Sequence, residues 1–180
     1  LAQINQGYGT SSVATVYNAV SEVTETAASI GNTGSFNADG ALLDLAIDQN
    51  NLGGQTSNLV TIQNMVAEAT STAASIGNSL AVEMPGGSKL TATQSNSGTM
   101  IADLTGMIAS TVDYTATAAS IGNSYALTSL DSGIAGNVSS SLNQWNGAGQ
   151  IAKVTANIAA STNAAATAAA IGNSVSINVE

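Results

Sequence analysis

Ser29-Ile30-Gly31-Asn32 recurs as Ser75-Ile76-Gly77-Asn78, Ser120-Ile121-Gly122-Asn123 and Ala170-Ile171-Gly172-Asn173. The isoleucine of each copy follows a glutamine by 27 positions, at Gln3, Gln49, Gln94 and Gln144. Each glutamine opens a Gln-x-Asn whose asparagine is Asn5, Asn51, Asn96 or Asn146. Two anchors at a fixed distance, four times over, make the chain a repeat array. An array buries its apolar surface by stacking copies, so it builds an extended surface or a fibre in preference to one catalytic pocket.

The anchors divide the chain, read as a single array over 1–180, into repeats 1–48, 49–93, 94–143 and 144–180. From each isoleucine to the next glutamine the distance varies, 19, 18 and 23 positions. A constant span implies a rigid element and a variable one a surface loop.

Small or apolar residues recur through the constant span at steps of three and four: Val13, Val16, Val20, Val23, Ala27 and Ile30, then Leu59, Ile62, Val66, Ala69, Ala73 and Ile76. This spacing predicts a helix of about 20 residues, roughly 30 Å long. Gly9-Thr10-Ser11-Ser12 supplies N-cap material, and Gly31, Gly77, Gly122 and Gly172 are read as helix stops in a left-handed cap. The Val and Thr content favours strand instead, but alternation does not keep one parity across the copies.

Beyond each glycine the period becomes two, as in Leu80, Val82, Met84 and Val175, Ile177, Val179, which predicts strand. Turn material follows at Asn37-Ala38-Asp39-Gly40, Pro85-Gly86-Gly87-Ser88 and Asp131-Ser132-Gly133, so each variable half reads as a hairpin. The fold class expected is α/β, a solenoid-like repeat array of four strand-helix-strand (ββα) units. The alternative is an all-β solenoid.

The 180 residues are 44% hydrophobic and 7% charged, the reverse of a disordered composition. Eleven acidic residues against Lys89 and Lys153 give a formal charge of -9, with no basic patch for phosphate. Nucleic acid is excluded as a partner, docking on anionic lipid is disfavoured, and no apolar run is long enough to insert in a membrane as a helix. Cysteine and histidine are both absent, which removes disulfides, thiolate metal sites and imidazole chemistry together. The chain opens on Leu1, which fits a mature product whose secretion signal has been removed, or simply a fragment, and an extracellular or cell-surface location is expected.

Four equivalent Gln-x-Asn pairs place Gln3, Gln49, Gln94 and Gln144, with Asn5, Asn51, Asn96 and Asn146, on one face of successive strands. Stacked amides can donate and accept along the array as a ladder; the bland reading is a turn at the start of the next element. Asn32, Asn78, Asn123 and Asn173 read as local backbone partners after the cap. Asp39, Asp44 and Asp48 lack the dense acidic spacing of a calcium loop. A serine nucleophile would need Lys89 or Lys153 as its base, and Glu22 with Glu25, or Glu68 with Glu83, sit in no motif. No enzyme activity, metal or cofactor is expected.

The chain begins on the second strand of a hairpin, with Leu1, Gln3, Ile4 and Asn5, and closes on the first strand of one, with Val175, Ile177 and Val179. Each end reads as half of a missing unit. If the last strand of one molecule pairs with the first strand of the next, the array continues head to tail.

Gly77-Asn78-Ser79-Leu80-Ala81-Val82 through Gln94-Ser95-Asn96 resembles repeats of secreted bacterial functional amyloids of the curlin and Fap kinds, and looks like the related holdfast-anchor surface proteins. The resemblance covers about half the chain and implies an extracellular fibre subunit of biofilm matrix or surface attachment. The expected function is a structural subunit that polymerises into a filament, with itself as partner. The alternatives are a non-polymerising adhesin or anchor binding polysaccharide or other surface proteins, and a virion fibre or decoration protein.

Overall fold

The computed structural model describes residues 1–38, 42–130 and 138–179. Among these residues the chain winds through four turns of three strands each. The first turn holds β1 (Ala2–Asn5), β2 (Gly9–Asn18) and β3 (Glu22–Asn37). The second holds β4 (Asp44–Asn51), β5 (Gln55–Asn64) and β6 (Val66–Pro85), and the third β7 (Lys89–Asn96), β8 (Met100–Ile108) and β9 (Thr111–Leu130). The fourth holds β10 (Ser139–Asn146), β11 (Gln150–Ile158) and β12 (Ser161–Val179). Equivalent strands stack into three sheets of four: β1-β4-β7-β10 (sheet A), β2-β5-β8-β11 (sheet B) and β3-β6-β9-β12 (sheet C). Every pairing is parallel. The fold is an all-β parallel solenoid.

The expected α/β class is therefore overturned: the described residues contain no helix. The 27-residue spans are the last part of a sheet A strand, all of a sheet B strand and the first half of a sheet C strand. The three-and-four stripe that suggested a helix splits between two faces. Val23 and Ala27 are buried, whereas Val16 and Ile30 are 61% and 46% exposed. The span is constant because it holds only strand and tight corner.

Sheet C explains why the alternation loses parity. In β3 the odd residues Val23, Glu25, Ala27 and Ser29 face inward, but after Gly31 the inward residues are Asn32, Gly34 and Phe36. One residue is inserted into the period at Ile30-Gly31-Asn32, and the long strand exchanges its faces there. The first half of sheet C packs on sheet B through Val23, Ala27, Leu59, Ala73, Leu104 and Tyr114. The second half packs on sheet A through Ile47, Leu80, Met84, Leu90, Tyr125 and Leu127.

The hairpins are also replaced. Pro85 to Ser88 do form a turn, with Ser88 N donating to Pro85 O at 3.4 Å and Gly87 at φ 81. The strands it joins, however, lie in sheets C and A, and each pairs in parallel with its equivalent one turn away. The turns expected at Asp39-Gly40 and at Asp131-Ser132-Gly133 lie outside the described residues.

Candidate functional site

Between sheets A and C the core contains amides instead of an unbroken apolar layer. Gln49 and Gln94 are fully buried, as are Asn51, Asn96, Asn78 and Asn123. A buried primary amide is tolerated only when its two hydrogens and its oxygen are engaged. Stacking at about 4.8 Å between strands brings identical amides within reach of one another.

Three columns result. Gln49 Nε2 donates to Gln3 Oε1 at 2.7 Å, Gln94 to Gln49 at 2.8 Å and Gln144 to Gln94 at 2.7 Å. The second amide hydrogen of each crosses to a sheet C carbonyl of its own turn: Thr33, Ser79, Ser124 and Ser174. In the next column Asn5, Asn51 and Asn96 each donate to the following member at 2.7 Å, ending on Asn146. Asn51, Asn96 and Asn146 also hold the corner carbonyls of Gly53, Gly98 and Ala148. The Gln-x-Asn pairs thus serve as ladder and turn at once.

The third column was not foreseen in that role. Asn32, Asn78 and Asn123 donate along the stack to Asn78, Asn123 and Asn173 at 2.7–2.8 Å. Asn78 and Asn123 also donate across to the sheet A carbonyls of Ser95 and Trp145. The signal was available: this asparagine recurs after the same 46, 45 and 50 residues as the glutamine.

The glycine of Ile-Gly-Asn is not a helix stop. Gly31, Gly77, Gly122 and Gly172 lie within strands, and the glycine with positive φ among the described residues is Gly87. A β-carbon at Gly77 would sit 2.5 Å from Gly122 O and 2.6 Å from Asn96 Oδ1, and at Gly122 it would sit 2.4 Å from both Asn146 Oδ1 and Gly172 O. Glycine is required because the Asn5 column passes directly against this strand.

The end segments read as junction strands lie in different sheets. Leu1, Gln3, Ile4 and Asn5 are at the edge of sheet A, paired with β4, while Val175, Ile177 and Val179 belong to β12 in sheet C. The fourth-turn strand in the same sheet as β1 is β10, not β12. Outside, sheet C presents rows of like residues. Thr24, Thr70 and Thr115 form one row, Thr26, Thr72, Thr117 and Thr167 the next, and Ile30, Ile76, Ile121 and Ile171 another. A groove of about 220 Å³ on sheet B is lined by Ile62, Asn64, Met107, Ile108, Ala109, Asn157 and Ala159, with no acid or base among them. Glu22 and Glu25, cast as a carboxylate pair, lie on opposite faces of β3.

A parallel solenoid with amide columns through its interior defines a repeat protein. The profile of HfaD, holdfast attachment protein D, matches residues 17–180, and the chain belongs to that family. Membership makes it a surface-attachment protein, and the family implies a cell-surface or extracellular location. The holdfast part of the resemblance is thereby supported, while the curlin and Fap part finds no match. No curated protein and no solved structure matches the chain.

Proposed function

We propose that the chain is a load-bearing subunit of the holdfast attachment apparatus that stacks head to tail into a filament. The observation carrying this reading is the polarity of the amide columns. In the glutamine column every donor points toward the first turn, and in the two asparagine columns every ladder donor points toward the fourth. A fourth turn offers Gln144 Oε1 as acceptor where a first turn offers the Gln3 amide as donor, so unlike ends are complementary. Two first turns would oppose donor to donor and acceptor to acceptor. A further turn therefore adds in one sense only, whether it comes from the same polypeptide or from a second copy. In a filament of copies, β10, β11 and β12 of one lie against β1, β2 and β3 of the next, so that β1 continues sheet A from β10 and β12 continues sheet C into β3.

Light scattering and negative-stain imaging of the purified chain test this. Filaments that are lost in Gln3→Leu and Gln144→Leu variants are the expected result; a chain that stays monomeric at all concentrations refutes polymerisation. A second reading, an adhesin face for polysaccharide, is favoured by the outward threonine rows of sheet C, several of whose members are exposed. Saturable glycan binding by monomeric protein, lost in Thr72→Val/Thr117→Val, would support it.

A further inference from the structure

Sheet A carries one outward row that changes character at its ends. Ile4, Asn50, Ser95 and Trp145 stand in register on the outer face of β1, β4, β7 and β10. The two middle members are polar. The two outer ones are a large aliphatic residue and the chain's one tryptophan, 65% and 55% exposed. By contrast, the isoleucine row of sheet C runs unbroken through all four turns, and the row of Val16, Ile62 and Met107 on sheet B ends on Asn157.

A single exposed apolar side chain is ordinary on a protein surface. Ile4 and Trp145, however, occupy opposite ends of one row, three strand spacings or about 14 Å apart, so they do not meet within one chain. They meet where a fourth turn stacks on a first, because β1 of one copy then continues sheet A from β10 of another. Trp145 lies between Gln144 and Asn146, and Ile4 between Gln3 and Asn5. The residues whose amides would bridge the joint on the inside thus flank an apolar pair on the outside, where it keeps water from the new ladder. Gly147 leaves room for the indole: a β-carbon there would lie 2.3 Å from it.

Charge permits the same contact. Neither β1 nor β10 holds a charged side chain, and β11 and β12 add Lys153 but no acid. The acidic row of Glu22, Glu68 and Asp113 ends on Asn163 in the fourth turn. A chain of formal charge -9 therefore meets its copy without stacking acid on acid.

We infer that Trp145 of one copy packs on Ile4 of the next, an apolar clasp on the outer face of sheet A that sets the register of the joint. The inference rests on the filament reading and names the surface by which a second copy is recognised. A slip of two residues would set the indole against Ala2 and forfeit the contact.

The chain has no cysteine, so Ile4→Cys/Trp145→Cys reports the pairing directly. Within one chain the two positions are beyond disulfide reach, whereas directly opposed residues on neighbouring strands are within it. Filaments of this variant, oxidised and separated without reductant, should give a ladder of covalent oligomers; Ile4→Cys/Asn143→Cys, set diagonally across the joint, should not. In the parent chain, tryptophan emission should shift to the blue and acrylamide quenching should fall as filaments grow. Trp145→Ser should raise the critical concentration for assembly about tenfold, while its monomer melts like the parent because the side chain is exposed. Filaments in which Trp145 stays as quenchable as in the monomer, or in which Ile4→Cys/Trp145→Cys gives no ladder, overturn the clasp and leave the filament reading standing. A chain that stays monomeric at every concentration overturns both.

Discussion

Replacing Gly77 by alanine separates the solenoid from a helix-stop reading. The new methyl must enter a space where Gly122 O is 2.5 Å away, Asn96 Oδ1 2.6 Å and Asn96 Cγ 2.8 Å. One neighbour is backbone, and the other is tied at 2.7 Å to Asn51 on one side and to Asn146 on the other. Neither can withdraw cheaply. Overpacking of this kind costs about 1–3 kcal/mol, and loosening two buried amide bonds adds about 1 kcal/mol each. A total of about 3–5 kcal/mol corresponds, for a chain of this size, to a fall in melting temperature of roughly 10 °C. The matched control is Gly149→Ala, where a β-carbon meets nothing within 4 Å and the expected change stays within about 0.5 kcal/mol. Circular dichroism melts of the two variants beside the parent give the answer. If Gly77→Ala melts within about 2 °C of Gly149→Ala, the close passage of the Asn5 column against sheet C is wrong.

Three further outcomes follow from particular residues. Met65 is 68% exposed and holds φ 55, so Met65→Asn should stabilise by about 1 kcal/mol in urea unfolding, because asparagine tolerates the left-handed region. Burial raises the phenol pKa of both Tyr114 and Tyr125, with the Ser71 and Ser140 contacts opposing it. The folded chain then keeps protons that the unfolded chain loses, so stability is intact below the ordinary tyrosine pKa of about 10 and falls as pH rises beyond it. Tyr125→Phe should flatten that alkaline fall in a pH series of melts. Glu22, Glu68 and Asp113 stand in register on the outer face of sheet C; like charges in one row repel and salt screens them. Melting temperature should therefore rise with added salt, by less in Glu68→Gln.

Much of the architecture was visible in the spacing. The equivalence of Gln3, Gln49, Gln94 and Gln144 and the strand after each glycine can be read from residue order. Secondary structure in the constant span could not, for two physical reasons. The corner between sheets B and C, where Ala19 and Met65 take positive φ, and the face exchange at Ile30-Gly31-Asn32 both interrupt a period of two. A period of two interrupted twice leaves apolar residues at mixed steps of three and four, which imitates a helix. Alanine-rich stretches such as Ala27-Ala28 and Ala73-Ala74 reinforced the imitation, since alanine favours helices in isolation. In the solenoid, alanine is selected by space: Ala27, Ala73 and Ala118 stack in a fully buried column. Glu25 was legible only as a charge, because its hydrogen-bond partners Thr15, Gln63 and Ser71 come from other strands and from two different turns.

Strands as simple as Thr70-Ser71-Thr72-Ala73-Ala74-Ser75 specify their register weakly, because a shift by two residues places chemically similar side chains in the core. The amide columns remove that freedom. A shift by two sets Asn51 beside Gly98 in one direction and Gln49 beside Ala92 in the other, so either way a buried amide loses its partner, at about 1–3 kcal/mol for each orphaned group. Asn96→Ala should therefore damage folding fidelity beyond its cost in stability. It removes the acceptor of Asn51 and the donor to Asn146, a loss of about 2–4 kcal/mol. Leu104→Ala, a fully buried apolar truncation in the same turn, costs a similar amount, about 2–5 kcal/mol, but leaves every amide in place. After dilution from urea, the Leu104 variant should recover a native hydrogen-exchange pattern in high yield. The Asn96 variant should partition into slipped or aggregated species. Equal refolding yields for the two would mean that the columns stabilise the solenoid without choosing its register.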